Sequence, residues 1–263
     1  MTGPTQTYQL SVEAAEAYEA RFVPALFAEW APHLVEAAGV AAGQAVLDVA
    51  CGTGVVARTA ADRVGGRGRV AGVDLNEGML AVAGRLRPDI EWHQADAAAL
   101  PFPDGSFDAV LCQSGLMFFP DRVGALREMA RVAAAGGTVA VQVWDLLEAQ
   151  AGYGAMYAAF TLHLGPMAEE LGGSFWALGD LELLGSLFEA AGSSCPSAGT
   201  WWSPPRRPEP QEGGSNSPSR APARKARHSS GVNRRAGPLR SLESRTTTWS
   251  PTRPTSTQPL LPL

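Results

Sequence analysis

The sequence predicts an α/β fold, a doubly wound and mainly parallel sheet, on three observations. Short apolar runs alternate with helical segments of about ten residues, the pattern of right-handed βαβ units. A glycine-rich turn, Cys51-Gly52-Thr53-Gly54, follows the first of those runs. The second run ends in Asp74, twenty residues past Gly54, where a carboxylate is placed to hold a nucleoside's ribose hydroxyls.

Each element follows from local pattern. Residues 11–38 read as helix because Phe22, Leu26, Phe27, Trp30, Leu34 and Val35 recur at helical spacing. Pro24 opens a new helix within that stretch, since its ring cannot sit deep inside one. At Ala45 the period changes: residues 45–50 form a strand, and the CGTG turn leads into the helix VVARTAADRV. Residues 69–74 and 90–95 make the second and third strands around a helix over 77–86. After the Asp104-Gly105 turn, FDAVLCQ (107–113) is the fourth strand. A helix over 122–132 stops at Gly136-Gly137, and TVAVQVW (138–144) is the fifth strand. Further helices cover 147–164 and 181–191.

The composition describes two materials. Residues 196–263 hold eleven basic side chains against three acidic ones, whereas 1–195 hold ten against 23. Few aliphatic side chains follow Gly192, so residues 193–263 cannot bury enough apolar surface to offset ordering and are expected to be a disordered basic tail. The folded part is then 1–192: a helical lid (1–40), a ligand-binding core (45–145) and helices on the acceptor side (146–192). Cys51, Cys112 and Cys195 have no ligand spacing, which predicts reduced thiols and neither a disulfide framework nor a metal site. The N-terminus lacks a basic segment followed by an apolar one, and no run of about 18 apolar residues occurs. A cytoplasmic chain without membrane contact is expected.

The chemistry concentrates in VLDVACGTG (46–54). Gly52 and Gly54 let the backbone turn sharply and approach a ligand, with a helix N-terminus directly behind. Gly52-x-Gly54-x-x-Ala57 with Asp74 also fits a dinucleotide fingerprint, so an NAD-dependent oxidoreductase is a rival reading. Asp48 separates the two. A carboxylate there would repel a pyrophosphate, whereas it favours the ammonium and sulfonium of S-adenosyl-L-methionine; the plainer alternative is that Asp48 caps the loop. Asp96 ends the third strand, where it can accept from an adenine amine while the Ala97 N–H donates to a ring nitrogen. The plainer alternative for Asp96 is a turn former. Three acids ending three consecutive strands lie on the carboxyl edge where such sheets bind ligands.

With these residues in view, the segment from about Tyr18 to Trp144 resembles the type 11, ubiquinone/menaquinone-biosynthesis-like class I methyltransferases, of Rossmann-like fold. LDVACGTG is similar to that family's first motif, VAGVDLNEGML to its acidic second motif, and QADAAALPFPDGSFDAV to its adenine motif. CQSGLMFFPDR and LREMARV…GGTVAV resemble its fourth and fifth strand regions. The resemblance implies S-adenosyl-L-methionine as cofactor and methyl transfer to a small-molecule acceptor. It places Gly52 and Gly54, with Ala50 at the head of the turn, against the methionine moiety, and has Asp48 orient that moiety through water. Asp74 would take the ribose, Asp96 and Ala97 the adenine, and Leu75 would pack on the adenine face. Gln113 would close over the amino-acid end, with Tyr18 reaching in from the lid or serving only as a packed tyrosine.

A hydroxyl or amine acceptor needs a base. His163 is the leading candidate, ahead of His33 and His93, although a structural or surface histidine is the plainer reading of each. Phe118, Phe119 and Trp144 could wall the acceptor pocket or be core. The family fold normally ends with two more strands, the last antiparallel, after the helix LGDLELLGSLFEAAG. SSCPSAGTWWSPPRRPEP follows instead, so those strands are expected to be missing, leaving strand five an exposed, aggregation-prone edge. The Lys-free body suggests a GC-rich gene, and shifted reading of such a gene gives this Arg/Pro/Ser-rich composition. The hypothesis is a reading-frame shift near 192–195, tested by translating the other two frames. A natural basic tail that touches nucleic acid or an acidic partner is the alternative. A nucleic-acid methyltransferase follows only if that tail is genuine, and a non-catalytic cofactor-binding remnant is the reading in which the damaged C-terminus abolishes turnover.

Overall fold

Alternation of side chains across a pleat decides which residues of each strand meet which helices. The computed structural model describes residues 9–164, 174–192, 197–199 and 244–249. Among them one sheet contains β1 (Ala45–Val49), β2 (Arg69–Asp74), β3 (Glu91–Gln94), β4 (Phe107–Gln113), β5 (Ala133–Trp144), β6 (Ser197–Gly199) and β7 (Ser244–Trp249). Their order is β3-β2-β1-β4-β5-β7-β6, with β1 to β5 all parallel. The doubly wound α/β class is thus the one observed.

The helices are α1 (Val12–Phe22), α2 (Ala31–Ala37), α3 (Val55–Val64), α4 (Glu77–Leu86), α5 (Arg122–Val132), α6 (Ala151–Leu164) and α7 (Leu181–Ala190). Side-chain caps start four of them: Ser11, Asn76, Asp121 and Asp180 each accept a backbone N–H of the first turn. On one face of the sheet Val46, Val70, Ala109, Leu111 and Ala140 pack against Leu34, Val35, Val56 and Ala60 of α2 and α3. On the other, Leu47, Val49, Val110, Cys112 and Val141 meet Leu126 and Met129 of α5 and Leu184 and Phe188 of α7. Each such large side chain contributes about 1.5–3 kcal/mol through burial. Strand order reverses between β1 and β4, and crossovers leaving on opposite faces open a crevice at the carboxyl ends there.

The structure corrects four expectations. Pro24 does not open an α-helix; it lies in a π-turn, Val23–Phe27, closed by the Ala28 N–H on the Val23 carbonyl at 2.8 Å. Without an N–H, Pro24 cannot continue the regular ladder from α1, and a widened turn accommodates it. Gly136 and Gly137 lie inside β5 rather than ending α5, which stops at Val132. Gly136 has φ +82°, and β5 shifts register between Phe107 and Ala109 of β4; a Cβ on Gly137 would stand 2.8 Å from the Asp108 carbonyl. The predicted helix over 147–164 begins as a 3-10 turn (Leu147–Ala149) ahead of α6.

The fourth correction concerns the tail, expected to lack strands throughout. β7 pairs antiparallel with β5 from Val139–Trp249 to Trp144–Ser244, and β6 pairs with β7. The run SRTTTW carries three successive threonines and a tryptophan, residues that favour a pleated backbone; the Arg- and Pro-rich average around them conceals it. The outer edge of β5, expected to be bare, therefore has a partner. For 193–196, 200–243 and 250–263 the expectation of disorder falls outside the described residues. No helix among the described residues is long and apolar enough to cross a membrane.

Candidate functional site

The turn between β1 and α3 crosses the crevice in a sequence of left-handed residues: Ala50 (φ +56°), Gly52 (φ +55°) and Gly54 (φ +87°). It is pinned by the Cys51 N–H on the Val73 carbonyl at 3.0 Å and the Gly54 N–H on the Cys51 carbonyl at 2.8 Å. Ser114, just past β4, has φ +52°. A non-glycine residue held there costs about 1–3 kcal/mol, and both strained residues flank the same crevice. The two glycines do different work. A Cβ on Gly52 would meet nothing within 4 Å, whereas one on Gly54 would stand 2.4 Å from Cη2 of Trp92. Gly52 faces the crevice; Gly54 makes room for an indole behind the turn.

The three acids end β1, β2 and the segment after β3 as the sequence suggests. Asp48 is buried on the α3 side of the sheet, where its Oδ2 accepts the Ala57 N–H at 2.9 Å. That bond caps the first turn of α3, so the capping role weighed in the sequence is present. Burial pushes the Asp48 carboxyl up to about 8 despite that bond and the nearby Arg58. Asp74 accepts the Gly52 N–H on Oδ2 and the Asn76 N–H on Oδ1, each at 2.8 Å, and burial raises its carboxyl. Asp96 is exposed and accepts the Ala98 N–H at 2.8 Å, a turn-forming bond. An ionised carboxylate has about four lone-pair sites, so each acid keeps capacity for a ligand.

Tyr18, Phe27, Asp48, Ala50, Cys51, Gly52, Val55, Val56 and Gln113 line one cleft at the switch point. Five residues singled out from the sequence thus meet in one place: Tyr18, Asp48, Ala50, Gly52 and Gln113. Gln113 donates through Nε2 to the Phe27 carbonyl at 3.0 Å, which fixes its amide and leaves a buried Oε1 with no partner. Tyr18 packs against Phe27 with ring centroids 5.5 Å apart and the rings tilted by 33°; burial, then the charges of Asp74, Glu19 and Asp48, hold its hydroxyl in the protonated form. The Cys51 thiol is pushed up by burial and stays neutral.

Other sequence candidates stand apart. Leu75 is exposed and Ala97 buried beside Asp96 at the sheet edge. His33 and His163 are exposed, His93 packs on Phe102 at 5.1 Å, and none of these three lines the cleft. Phe118 meets Phe175 at 5.1 Å, while Trp144 is buried against Phe27, Tyr153 and Trp176. One set went unforeseen. Glu19 of α1 accepts from the Thr53 hydroxyl and pairs with Arg58 at 2.8 Å, while Arg58 donates to the Thr53 carbonyl at 2.7 Å. These bonds tie α1 to the glycine turn across more than thirty residues, and no local pattern encodes them.

Among the described residues the cleft's polar lining is a carboxyl group, an unpartnered amide oxygen, a phenol and a thiol, with no basic side chain. Such a lining receives a cation that carries N–H donors and opposes a phosphate.

Residues 47–141 match the family model of a methyltransferase domain. The chain is 46% identical over 112 residues to the demethylmenaquinone methyltransferase of Renibacterium salmoninarum, a stretch covering 43% of this chain and 46% of that protein. It is 42% identical over 118 residues to the ubiquinone/menaquinone biosynthesis C-methyltransferase UbiE of Hahella chejuensis, covering 43% and 47%. The matched part therefore spans about half the length of these relatives. A SAM-dependent methyltransferase from Aquifex aeolicus shares the fold at 19% identity and TM-score 0.56, over 72% of this chain and 92% of that one. A Methanococcus maripaludis protein, described as a candidate for the same activity, does so at 14% identity and TM-score 0.60, over 96% and 98%. Residues 47–141 are thus similar to a methyltransferase domain, and the chain shares its fold with these two solved structures.

Proposed function

We propose that the chain transfers a methyl group from S-adenosyl-L-methionine to a small-molecule acceptor. The observation that carries this reading is the cleft at the β1/β4 switch point, whose described lining holds Asp48 and the unpartnered Gln113 Oε1 and no basic side chain, continued along the sheet edge by Asp74 and Asp96. Asp48, the Gly52 turn and Gln113 hold the amino-acid end of the cofactor, whose α-ammonium meets Asp48 and Gln113 Oε1. Asp74 takes the ribose hydroxyls, while Asp96, Ala97 and Leu75 take the adenine. The bound cofactor supplies an electrophilic methyl carbon on a sulfonium; the chain supplies alignment and a dehydrated site. Tyr18 and Phe27 close the cleft from the N-terminal side and exclude water. The relatives' names point to quinone-type rings, the first acceptor class to assay.

A dinucleotide reading is opposed by the same lining, because a pyrophosphate would face Asp48 with no basic side chain of the described residues in the cleft. The test is calorimetric titration with S-adenosylhomocysteine beside an Asp74→Ala variant, with NAD as control. Saturable binding by the wild type alone, and no heat with NAD, is the expected result. No binding of S-adenosylhomocysteine by folded protein would overturn the reading.

A further inference from the structure

On the face of the sheet that carries Asp48 and Gln113, the next polar side chain outward belongs to Gln142 of β5. Gln113 and Gln142 are register partners, and in a parallel pair such partners share a face. Gln142 is 1% exposed, and neither its Nε2 nor its Oε1 has a hydrogen-bond partner. Gln113 Oε1 is also buried without a partner, as is the indole Nε1 of Trp144, two residues further along β5. Buried amides are almost always satisfied. Here the ends of two adjacent strands hold four polar atoms that the protein does not meet.

The π-turn lies beside these atoms: the Phe27 carbonyl takes the remaining donor of Gln113, and the Phe27 ring is 6.0 Å from that of Trp144. Trp144 is flanked in turn by Tyr153 at 6.2 Å and Trp176 at 6.3 Å. On the reading of the preceding subsection, on which this inference rests, ribose and adenine occupy the β1–β3 side. The direction left for an acceptor is over β4 and β5.

We propose that Gln142 selects and positions the methyl acceptor. A primary amide offers a donor and an acceptor side by side, so its complement is a group presenting acceptor and donor in the same way, a lactam or other cis-amide. Trp144, Tyr153 and Trp176 favour a flat body behind that group. Gln142 touches no cofactor atom in this arrangement; it sets which acceptor is held.

Gln142→Leu removes the amide at similar volume. The protein, saturated with S-adenosylhomocysteine, is titrated calorimetrically with 2-quinolinone and with 1-methyl-2-quinolinone, in which the lactam donor is blocked. The wild type is expected to prefer 2-quinolinone by about tenfold or more, from the hydrogen bond gained. In Gln142→Leu that preference disappears, while the affinity for S-adenosylhomocysteine is unchanged and the thermal midpoint holds or rises. A merely structural glutamine would leave the preference in place. Absence of preference in the wild type, or its survival in the variant, overturns the proposal; Gln142→Met gives the same comparison should the leucine variant not fold. Failure of S-adenosylhomocysteine to bind the wild type would instead remove the methyltransferase reading beneath it.

Discussion

On the proposed reading, Asp48 would make cofactor binding a proton-releasing event. Burial holds its carboxyl up at about 8 in the ligand-free fold, so at neutral pH most molecules carry the proton, whereas a cationic ligand selects the ionised form. Between pH 6 and pH 7 the ionised fraction rises from about 1% to about 9%, so S-adenosyl-L-methionine should bind about ninefold tighter at pH 7. That interval lies below the titration of the ligand's own α-amino group near 7.7–8.0, to judge from ordinary α-amines, roughly. The assay is calorimetric titration at both pH values in two buffers of different ionisation enthalpy, phosphate and imidazole. The difference in heat counts protons, and about 0.9 per ligand should leave at pH 7. Asp48→Asn keeps an oxygen for the Ala57 N–H and removes the titration. A wild-type affinity independent of pH over this interval, or an Asn variant with the same ninefold slope, would refute the reasoning.

Four further outcomes are expected. Because the folded carboxyl of Asp48 is raised from 3.8 to about 8, its contribution to stability is whole below about 4 and is lost as pH rises through about 8; the urea midpoint of ligand-free protein should fall from pH 5 to 8, and less so in Asp48→Asn. Gly54→Ala combines φ +87° with a Cβ 2.4 Å from Trp92 and should cost about 2–5 kcal/mol, against about 1–2 for Gly52→Ala, which meets open space; equal losses in equilibrium denaturation would contradict this. Glu19→Gln breaks the half-buried pair with Arg58 and should cost about 1–2 kcal/mol, with faster amide exchange in α1 than in α5. A chain ending at Gly192 lacks β6 and β7, uncovers β5 and should aggregate on light scattering; a monodisperse protein with a cooperative melt would argue otherwise.

What the sequence disclosed was local. Strands β2 and β4 and helices α4 and α5 fall where apolar period and caps place them, because those signals lie within a dozen residues. The three acids and the glycine turn were legible for the same reason, each ending a strand. Trp92 behind Gly54 was not, since it comes from a strand two places away and nothing near the turn marks it. The Glu19–Thr53–Arg58 set joins segments 34 and 39 residues apart, and a charged residue on an amphipathic helix reads as solvated until its partner is known. Gln142 looked like one polar residue in TVAVQVW; only its register beside Gln113 gives it meaning. β7 was missed because composition was averaged over about seventy residues in which six behave differently.

The order β5-β7-β6 also bears on how the chain emerges from a ribosome. Val139 of β5 takes Trp249 as its partner, so the flank of β5 waits for roughly 110 residues of further synthesis, about 5–20 s at common elongation rates. During that delay the part from α1 to β5, with its complete glycine turn and acids, is already outside the exit tunnel. On the proposed reading, the nascent protein would then hold its cofactor cleft beside an uncovered strand. A cofactor that binds early would steady this half-built sheet when it is most exposed to wrong partners.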